Sequence, residues 1–350
     1  MTEPATTALR TRRGHRRVPP ITDLEALRGA LQTALQLEHA TIPPYLCALY
    51  SIRPGRNVEA AAVIESVVME EMLHMVLVAN VLNAIGAEPA IDRPDFVPRY
   101  PATLPHSDGR VIVRLQRFSP AAVDCFLRIE RPEPVTAPPR AEGYHTIGQL
   151  YAAIELGLQV VSAQRQIFTG DRERQIAGND RVYGMAGGPV LVDDLASALH
   201  ALSIVVDQGE GIDHTIHDGD APLGEPPMLA HYYRFDEIAR ERHYRPSDTP
   251  RTGPTGPPLP VEYDSVWPMR TDPRASELPP GSDVRGMTDS FNAVYTELLR
   301  QLHRGLNGEP DQLGTAVGSM WALRWQAEAL LRVPLDSTGD TAGPTFEWAG

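Results

Sequence analysis

The sequence contains no lysine, so each of its basic side chains is an arginine or a histidine. Without lysine the chain cannot form a Schiff base with pyridoxal phosphate, and it cannot supply the lysine of a phosphate-binding P-loop. It also contains no GxGxxG and no GxSxG motif. These gaps argue against the common dinucleotide-binding fingerprint and against the nucleophile elbow of the α/β-hydrolases.

Cysteine is scarce, and the two cysteines, Cys47 and Cys125, form no CxxC pair. This spacing argues against a disulfide framework, a zinc–thiolate site and an iron–sulfur cluster, and it fits a reducing cytoplasm. No run of about 18 apolar residues is present, so we expect no membrane span. The formal net charge of −13 argues against a nucleic-acid partner.

Apolar residues recur at helical spacing through most of the chain. Long helices are predicted at 22–50, 57–86, 146–169 and 190–211. Shorter ones are predicted at 119–130, opened by Ser119 and Pro120, and at 228–242, with a final pair at 285–306 and 310–333 and a short strand at Val111–Leu115. Four long helices with crossover loops indicate a mainly α, ferritin-like four-helix bundle.

The remaining segments suggest how the chain is divided. Residues 1–20 are arginine-rich without an apolar segment behind them, which predicts a flexible tail rather than a secretory signal. A bundle over 21–243 is followed by 244–284, which is rich in proline and without helical periodicity, so we expect it to wrap the surface. The last helical pair, 285–335, should pack on the bundle, and 336–350 should form a tail.

A carboxylate interrupts the apolar face of the first predicted helix. Steps of three and four residues place eight side chains on this face, and all are aliphatic except Glu38: Leu24, Leu27, Leu31, Leu35, Glu38, Ile42, Leu46 and Leu49. A buried carboxylate costs free energy unless a metal cation or a buried arginine compensates its charge. Glu38 is therefore a candidate metal ligand.

The second predicted helix repeats this anomaly with two side chains. Glu71 and His74 lie in an apolar stripe and form a Glu-x-x-His pair. Residues three apart on a helix project together, with about 5–6 Å between their Cβ atoms. That spacing suits one carboxylate and one imidazole on the same metal. Glu70, four residues before His74, is the alternative carboxylate.

The other two long helices each add a carboxylate. Glu155 is the only charged residue between Ile147 and Gln164, and Glu210 continues an apolar stripe of the fourth long helix. Carboxylates with imidazole suit iron or manganese better than structural zinc. The sequence thus predicts a two-metal site, with two iron ions or manganese as the alternative, and with catalytic roles for Glu38, Glu71, His74, Glu155 and Glu210.

The sixth ligand stays open between three residues. The fourth helix lacks a second Glu-x-x-His, since His214 follows Glu210 by four residues and Asp207 precedes it by three. The glycines on both sides of Glu210 would interrupt the helix and leave room for the chain to return with His231.

Pro43 and Pro44, about one turn after Glu38, remove two helical N–H donors and predict a kink in the first helix. The kink is either a tolerated distortion or a widening that admits substrate beside the metals. Tyr45 would then line a pocket or pack in the core. His39 would support the ligand Glu38 or form an interhelical hydrogen bond.

Several stretches together resemble the ferritin-like domain of VioB-type iminophenyl-pyruvate dimer synthases and of their shorter bacterial homologues. They are LEHATIPPYL at 37–46, EEMLHM at 70–75, IERPE at 129–133 within 118–133, TIGQLYAAIE at 146–155, DQGEG at 207–211, HYYRF at 231–235 and the helices around 320–335. The resemblance covers about residues 22–335. It implies a ferritin-like fold and metal ligands at Glu38, Glu71, His74, Glu155, Glu210 and His231.

The expected function is a non-haem di-iron oxidase or oxygenase of specialised (antibiotic or secondary-metabolite) biosynthesis. Its partners would be O₂ and a small organic substrate, such as a derivative of an aromatic amino acid, with a second copy or a biosynthetic enzyme as a further partner. One alternative is an iron-binding or iron-oxidising protein without organic substrate. The other is a non-catalytic scaffold in a biosynthetic complex. The named synthases are much longer than this chain.

Overall fold

The computed structural model describes residues 20–134, 136–178, 188–219, 228–335 and 339–350. The α-helices in this part of the chain are α1 Leu24–Ser51, α2 Val58–Ala84, α3 Pro120–Ile129, α4 Ile147–Gln164, α5 Leu195–Glu210, α6 His231–Arg240, α7 Asp283–Leu306 and α8 Asp311–Leu330. Strands β1 (Ala102–Thr103) and β2 (Ile112–Val113) pair antiparallel, with Ala102 opposite Val113. The tail predicted over 1–20 lies outside the described residues except for residue 20.

Side-chain caps set where several helices begin. Asp23 accepts a hydrogen bond from the Ala26 N–H at the start of α1, and Ser119 caps α3 as the sequence predicts. A capping box of Asp194 and Ser197 starts α5 at Leu195, a few residues after the predicted position. Helix α4 ends at Gln164 rather than at the predicted residue 169, because the backbone of Arg165 is extended.

The four long helices α1, α2, α5 and α4 contact one another in that order around a closed ring. Helices α3 and α6 pack against each other, and α3 also contacts α1 while α6 contacts α2 and α5. The α7–α8 hairpin packs on the α1–α2 pair, with α8 against α1 and α7 against α2. The predicted mainly α bundle with two added C-terminal helices is confirmed. No helix of the described ranges is both long and apolar enough to cross a membrane.

Helix α1 continues through Pro43 and Pro44, both of which are buried. A proline at position 44 cannot donate to the carbonyl of Ala40, which would be left without its helical partner. The hydroxyl of Tyr100 donates to that carbonyl at 2.8 Å. The long helix is therefore compatible with Pro44, because Tyr100, from the loop between α2 and α3, replaces the lost N–H donor.

The proline-rich segment lies against the junction between α1 and α2. The Trp267 N–H donates to the carbonyl of Ser51 at 2.7 Å, and the side chain of Asn57 bonds both the N–H and the carbonyl of Glu262. Leu259 is fully buried. Hydrogen bonds to the backbone of α1 and to the side chain of Asn57 thus satisfy backbone groups of this segment that no helix pairs.

The predicted C-terminal tail is corrected for residues 339–350, which pack on α7. Phe346 is 1% exposed and meets the rings of Phe291 and Tyr295 edge-on at 5.0 and 5.1 Å. The Ala349 N–H donates to Thr296 Oγ1 at 2.8 Å. This packing could not be predicted from the sequence, because two aromatic residues, Phe346 and Trp348, among glycine, threonine and proline form no periodic pattern.

Candidate metal centre

Five buried side chains meet inside the bundle and form two groups of potential ligands. Glu38, Glu71 and His74 form one group, and Glu71, Glu130 and His231 form the other, with ligand atoms within 4.8 Å of one another in each. Glu71 belongs to both groups, and its two oxygens face different histidines. Its Oε2 lies 3.7 Å from His74 Nδ1 and its Oε1 lies 3.2 Å from His231 Nδ1. This is the arrangement of a carboxylate that can bridge two cations.

His74 is oriented by a buried amide from α5. Its Nε2 donates a hydrogen bond to Gln208 Oε1 at 2.9 Å, which places the ring proton on that nitrogen when the ring is neutral. The other nitrogen, Nδ1, faces Glu38 Oε2 at 3.2 Å. A metal-binding histidine typically donates its second ring N–H in this way, and Nδ1 of His74 is the atom left to bind.

His231, the first residue of α6, shows the same division of its two nitrogens. Nε2 donates to Glu70 Oε2 at 2.8 Å. Nδ1 is buried beside Glu71 and Glu130 in a geometry that forms no hydrogen bond within the described residues. A ring nitrogen that faces two carboxylates needs either a proton or a metal cation between it and their oxygens.

Glu70, the alternative to Glu71 in the sequence, supports the centre from behind His231. Its Oε1 accepts from Arg234 Nη1 at 3.0 Å, and Arg234 Nη2 donates to Asp218 Oδ2 at 2.8 Å. Burial opposes ionisation of Glu70, but the bonds from His231 and Arg234 outweigh it and lower its pKa. Its negative charge is thus compensated by arginine, which leaves Glu71 for a metal.

Two tyrosines fix the outer oxygens of the end carboxylates. Tyr151 of α4 donates to Glu38 Oε1, and Tyr45 of α1 donates to Glu130 Oε1. In both cases Oε2 is the oxygen that faces a histidine of the centre. Tyr45 also packs edge-on against Phe126 at 4.6 Å, so it has both a core-packing role and a polar role.

The electrostatics of the cluster indicate that it needs positive charge. Burial raises the pKa of Glu38 to about 7 and also raises the pKa of Glu130. Burial opposes ionisation of Glu71 as well, but the adjacent imidazoles of His231 and His74 outweigh it and lower its pKa. Burial opposes protonation of His74, yet the adjacent carboxylates of Glu38 and Glu71 raise its pKa to about 10. Protons shared in this way are what a bound cation displaces.

Glu210 lines the same small cavity but lies outside the two groups. One oxygen accepts from the N–H of Gly148, at the N-terminus of α4, at 2.9 Å, and the other accepts from the N–H of Glu133, in the loop after α3, at 2.8 Å. A Cβ atom at position 148 would collide with Glu210 Oε1, so this approach requires glycine. Burial raises the pKa of Glu210 to about 7.

The structure does not bring Glu155 into the centre. Glu155 is half-buried, belongs to neither group and does not line the cavity. It lies one turn beyond Tyr151, and burial and the nearby Asp207 raise its pKa. At the level of Glu38, α4 therefore presents a phenol where the sequence interpretation expected a carboxylate.

Of the three residues left open as sixth ligand, the structure brings only His231 to the centre. His214 is exposed, with a φ of 60°, and Asp207 is half-buried beside Glu155. Helix α5 continues through Gly209 and ends at Glu210, and Gly211 caps it with a φ of 97°. The broken helix end and the returning α6 are thus both present.

Glu130 is the ligand candidate that the sequence reasoning missed. It caps the C-terminus of α3, the short helix whose buried face includes Phe126 and Ile129. Its position four residues after Phe126 continues that face, which was the available signal.

Comparison with known proteins agrees with this architecture. A family model described as Ferritin-like matches residues 31–240. Dichlorochromopyrrolate synthase from Lentzea aerocolonigenes is 28% identical over 80% of this chain, which spans 29% of that enzyme's length. The crystal structure of a ferritin-like protein from Caulobacter vibrioides matches with a TM-score of 0.63 at 24% identity, covering 89% of this chain and 96% of the other. The fold predicted from the sequence is confirmed, and the chain belongs to the ferritin-like family.

Proposed function

We propose that the chain is a non-haem di-iron oxidase that acts on a small organic molecule in a biosynthetic pathway. The observation that carries the proposal is the pair of buried ligand groups joined by Glu71, with the unpartnered Nδ1 of His231 facing them. Carboxylate and imidazole ligands favour iron, with manganese as the alternative. Similarity to a synthase of dichlorochromopyrrolate supports a biosynthetic role and an aromatic substrate, such as an amino-acid derivative.

In this proposal Glu38 and His74 would hold one metal, Glu130 and His231 would hold the other, and Glu71 would contribute to both. Two iron ions bound there supply one-electron redox chemistry and reaction with O₂. Glu210 forms part of the cavity wall and completes the acidic environment.

The surrounding side chains keep these ligands in place before any metal arrives. Tyr151 and Tyr45 each hold the outer oxygen of a carboxylate, so that the inner oxygen faces the metal position. Gln208 and Glu70 hold the histidine tautomers that expose Nδ1. Because the ligands are almost fully buried, bulk water is excluded from the site.

Metal content tests the site directly. The full chain is expressed with iron, and its metals are counted by plasma emission spectroscopy beside Glu71→Gln and the matched control Glu155→Gln. We expect about two irons per chain in the wild type and in the control, because the carboxylate on α4 is outside the centre. Glu71→Gln should lose both metals. Equal iron in all three proteins would contradict the proposed bridge.

Oxygen uptake then tests the reaction. Protein loaded with Fe²⁺ without air is exposed to O₂ with and without aromatic amino-acid-derived imino acids. An oxidase should consume O₂ beyond the amount needed to oxidise its own iron, and only with an organic substrate. If O₂ consumption stops once the bound Fe²⁺ is oxidised, whatever organic molecule is added, the result would favour an iron-oxidising protein without an organic substrate. A protein without stoichiometric metal would favour a scaffold.

A further inference from the structure

A second cavity lies on the other side of the α1–α2 pair, between these helices and the α7–α8 hairpin. Its volume is about 360 Å³. His39, which follows the ligand Glu38, and Met72, which follows the ligand Glu71, both line it. Successive helical residues point about 100° apart. The cavity therefore lies at the level of the metal centre but faces away from it, so its occupant is separate from the metals.

The size and lining of this cavity suit an aromatic molecule. An apolar cavity of about 150 Å³ holds benzene, so 360 Å³ has room for about two fused rings. Four methionines contribute to the wall: Met69, Met72, Met75 and Met320. Their flexible thioethers adapt to a ligand's shape and make favourable contacts with aromatic rings. A ligand that fills this space would remove the apolar lining from water.

One polar group in the wall lacks a partner. His39 is 3% exposed, and its Nε2 lies 2.7 Å from the hydroxyl of Tyr295, which also lines the cavity. Its Nδ1 is buried without a hydrogen bond in the described part of the chain. Nδ1 has almost no accessible surface, so a ligand must turn the imidazole towards the cavity to reach it. A hydroxyl group suits this nitrogen in either tautomer, since it both donates and accepts.

The mouth of the cavity does not favour an anion. Arg324 lines it, but its guanidinium is paired with Glu65 at 3.4 Å and with Glu328 at 3.3 Å. Two carboxylates around one arginine leave a net negative charge at this edge. Trp321, 57% exposed, lines the cavity from α8 and reaches solvent. An entering molecule therefore meets an aromatic ring, and the part of the chain that the structure describes lines this mouth with no arginine that lacks a carboxylate partner.

We propose that this cavity binds one neutral two-ring aromatic molecule whose single hydroxyl, or an equivalent polar group, bonds to His39. The inference goes beyond the proposed oxidase function, because none of the residues that carry it is a candidate metal ligand.

Calorimetric titration of the full chain with three probes tests the site: 1-naphthol, naphthalene and 1-naphthoate. We expect 1-naphthol to bind one-to-one and more tightly than the other two. His39→Phe should weaken 1-naphthol about tenfold, because a hydrogen bond is lost, and should leave naphthalene unchanged. Tighter binding of 1-naphthoate, or equal weakening of both neutral probes, would overturn the assignment of ligand class.

Filling the cavity tests its location. Leu302→Trp on α7 should abolish binding of both neutral probes, whereas Ala293→Trp on the exposed face of the same helix should not. Val317→Phe, from α8, gives a second filled variant in case the first does not fold. Glu71→Gln should retain 1-naphthol binding even without metal, which separates this site from the oxidase proposal. No binding of 1-naphthol to the wild type, or unchanged binding in both filled variants, would contradict the proposal.

Discussion

The two faces of the α1–α2 helix pair share one backbone but have opposite chemistry. On one face Glu38, Glu71 and His74 meet other buried charged groups, and nearly every polar atom is oriented by a neighbour. On the other face the same helices present leucine and methionine, with His39 as the main buried polar group. One helix pair can thus hold a charged centre and an apolar cavity because adjacent residues point in different directions.

This difference shows what each face requires to be stable. The charged face needs positive charge, from protons or from a bound cation, since its carboxylates lie in a buried site. The apolar face needs volume to be filled, since its open space removes packing contacts. Each requirement gives a ligand class, and the two ligands should stabilise the protein independently.

The largest expected effect separates the two faces by stability. Fe²⁺ added without air at a thousand times its Kd should raise the free energy of unfolding by about 4 kcal/mol for each metal site. The cavity probe 1-naphthol at ten times its Kd should add only about 1.4 kcal/mol. Urea unfolding of the full chain measures both. If Glu71→Gln gained as much from Fe²⁺ as the wild type, the charged face would not be the metal site.

Acid should act on the apolar face through His39. Its pKa is about 3 in the folded protein and about 6.5 unfolded. The unfolded chain therefore binds the extra proton between these values, and stability falls as the pH drops from 6.5 towards 3. At about 1.4 kcal/mol per pH unit, the loss should reach a few kcal/mol.

Unfolding curves at several pH values would show this loss as the difference between the wild type and His39→Phe. The exposed His200 provides the control, since His200→Gln should keep the wild-type slope. A slope that is the same in His39→Phe would mean that this histidine is not the source of the acid sensitivity.

The next effect is smaller and confined to the charged face. Gln208→Ala removes the acceptor that orients His74 and should weaken metal binding by about 10- to 100-fold. Competition with a chelator of known affinity measures the change. The exposed His200→Ala on the same helix should leave the affinity unaltered, and a similar loss there would point to damage of α5 as a whole.

The smallest effects compare one phenol on each face. Tyr151→Phe removes a donor to Glu38 and should weaken metal binding less than tenfold, without change in 1-naphthol binding. Tyr295→Phe removes the partner of His39 and should alter 1-naphthol binding alone. Crossed effects, with each variant acting on the other ligand, would show that the two faces are not independent.

The helices were predictable because their signals are local. Apolar spacing set α1 and α2 to within a few residues, and Ser119 with Pro120 marked the start of α3. The carboxylate of Glu38 stood out because all other members of its stripe are aliphatic. The fixed i, i+3 geometry of a helix was enough to place Glu71 beside His74.

The rest of the centre depends on how distant segments meet. The turn of α4 that lies level with Glu38 carries Tyr151, whereas Glu155 lies one turn further along the helix. Glu130 comes from the end of a short helix, and only the packing of α3 on α6 brings it to His231. Periodicity within one helix carries no information on the relative shift of two helices.

The sequence by itself determined the helical periodicity, the family resemblance and the buried charges of the first two helices, because each follows from residues close together in the chain. Only the tertiary structure decided that Glu71 joins two ligand groups, that His231 rather than His214 faces them, and that a second cavity opens behind His39. These features depend on the crossing of segments more than a hundred residues apart in sequence, such as α2 and α6. Their arrangement is set by the packing of the whole bundle rather than by local spacing.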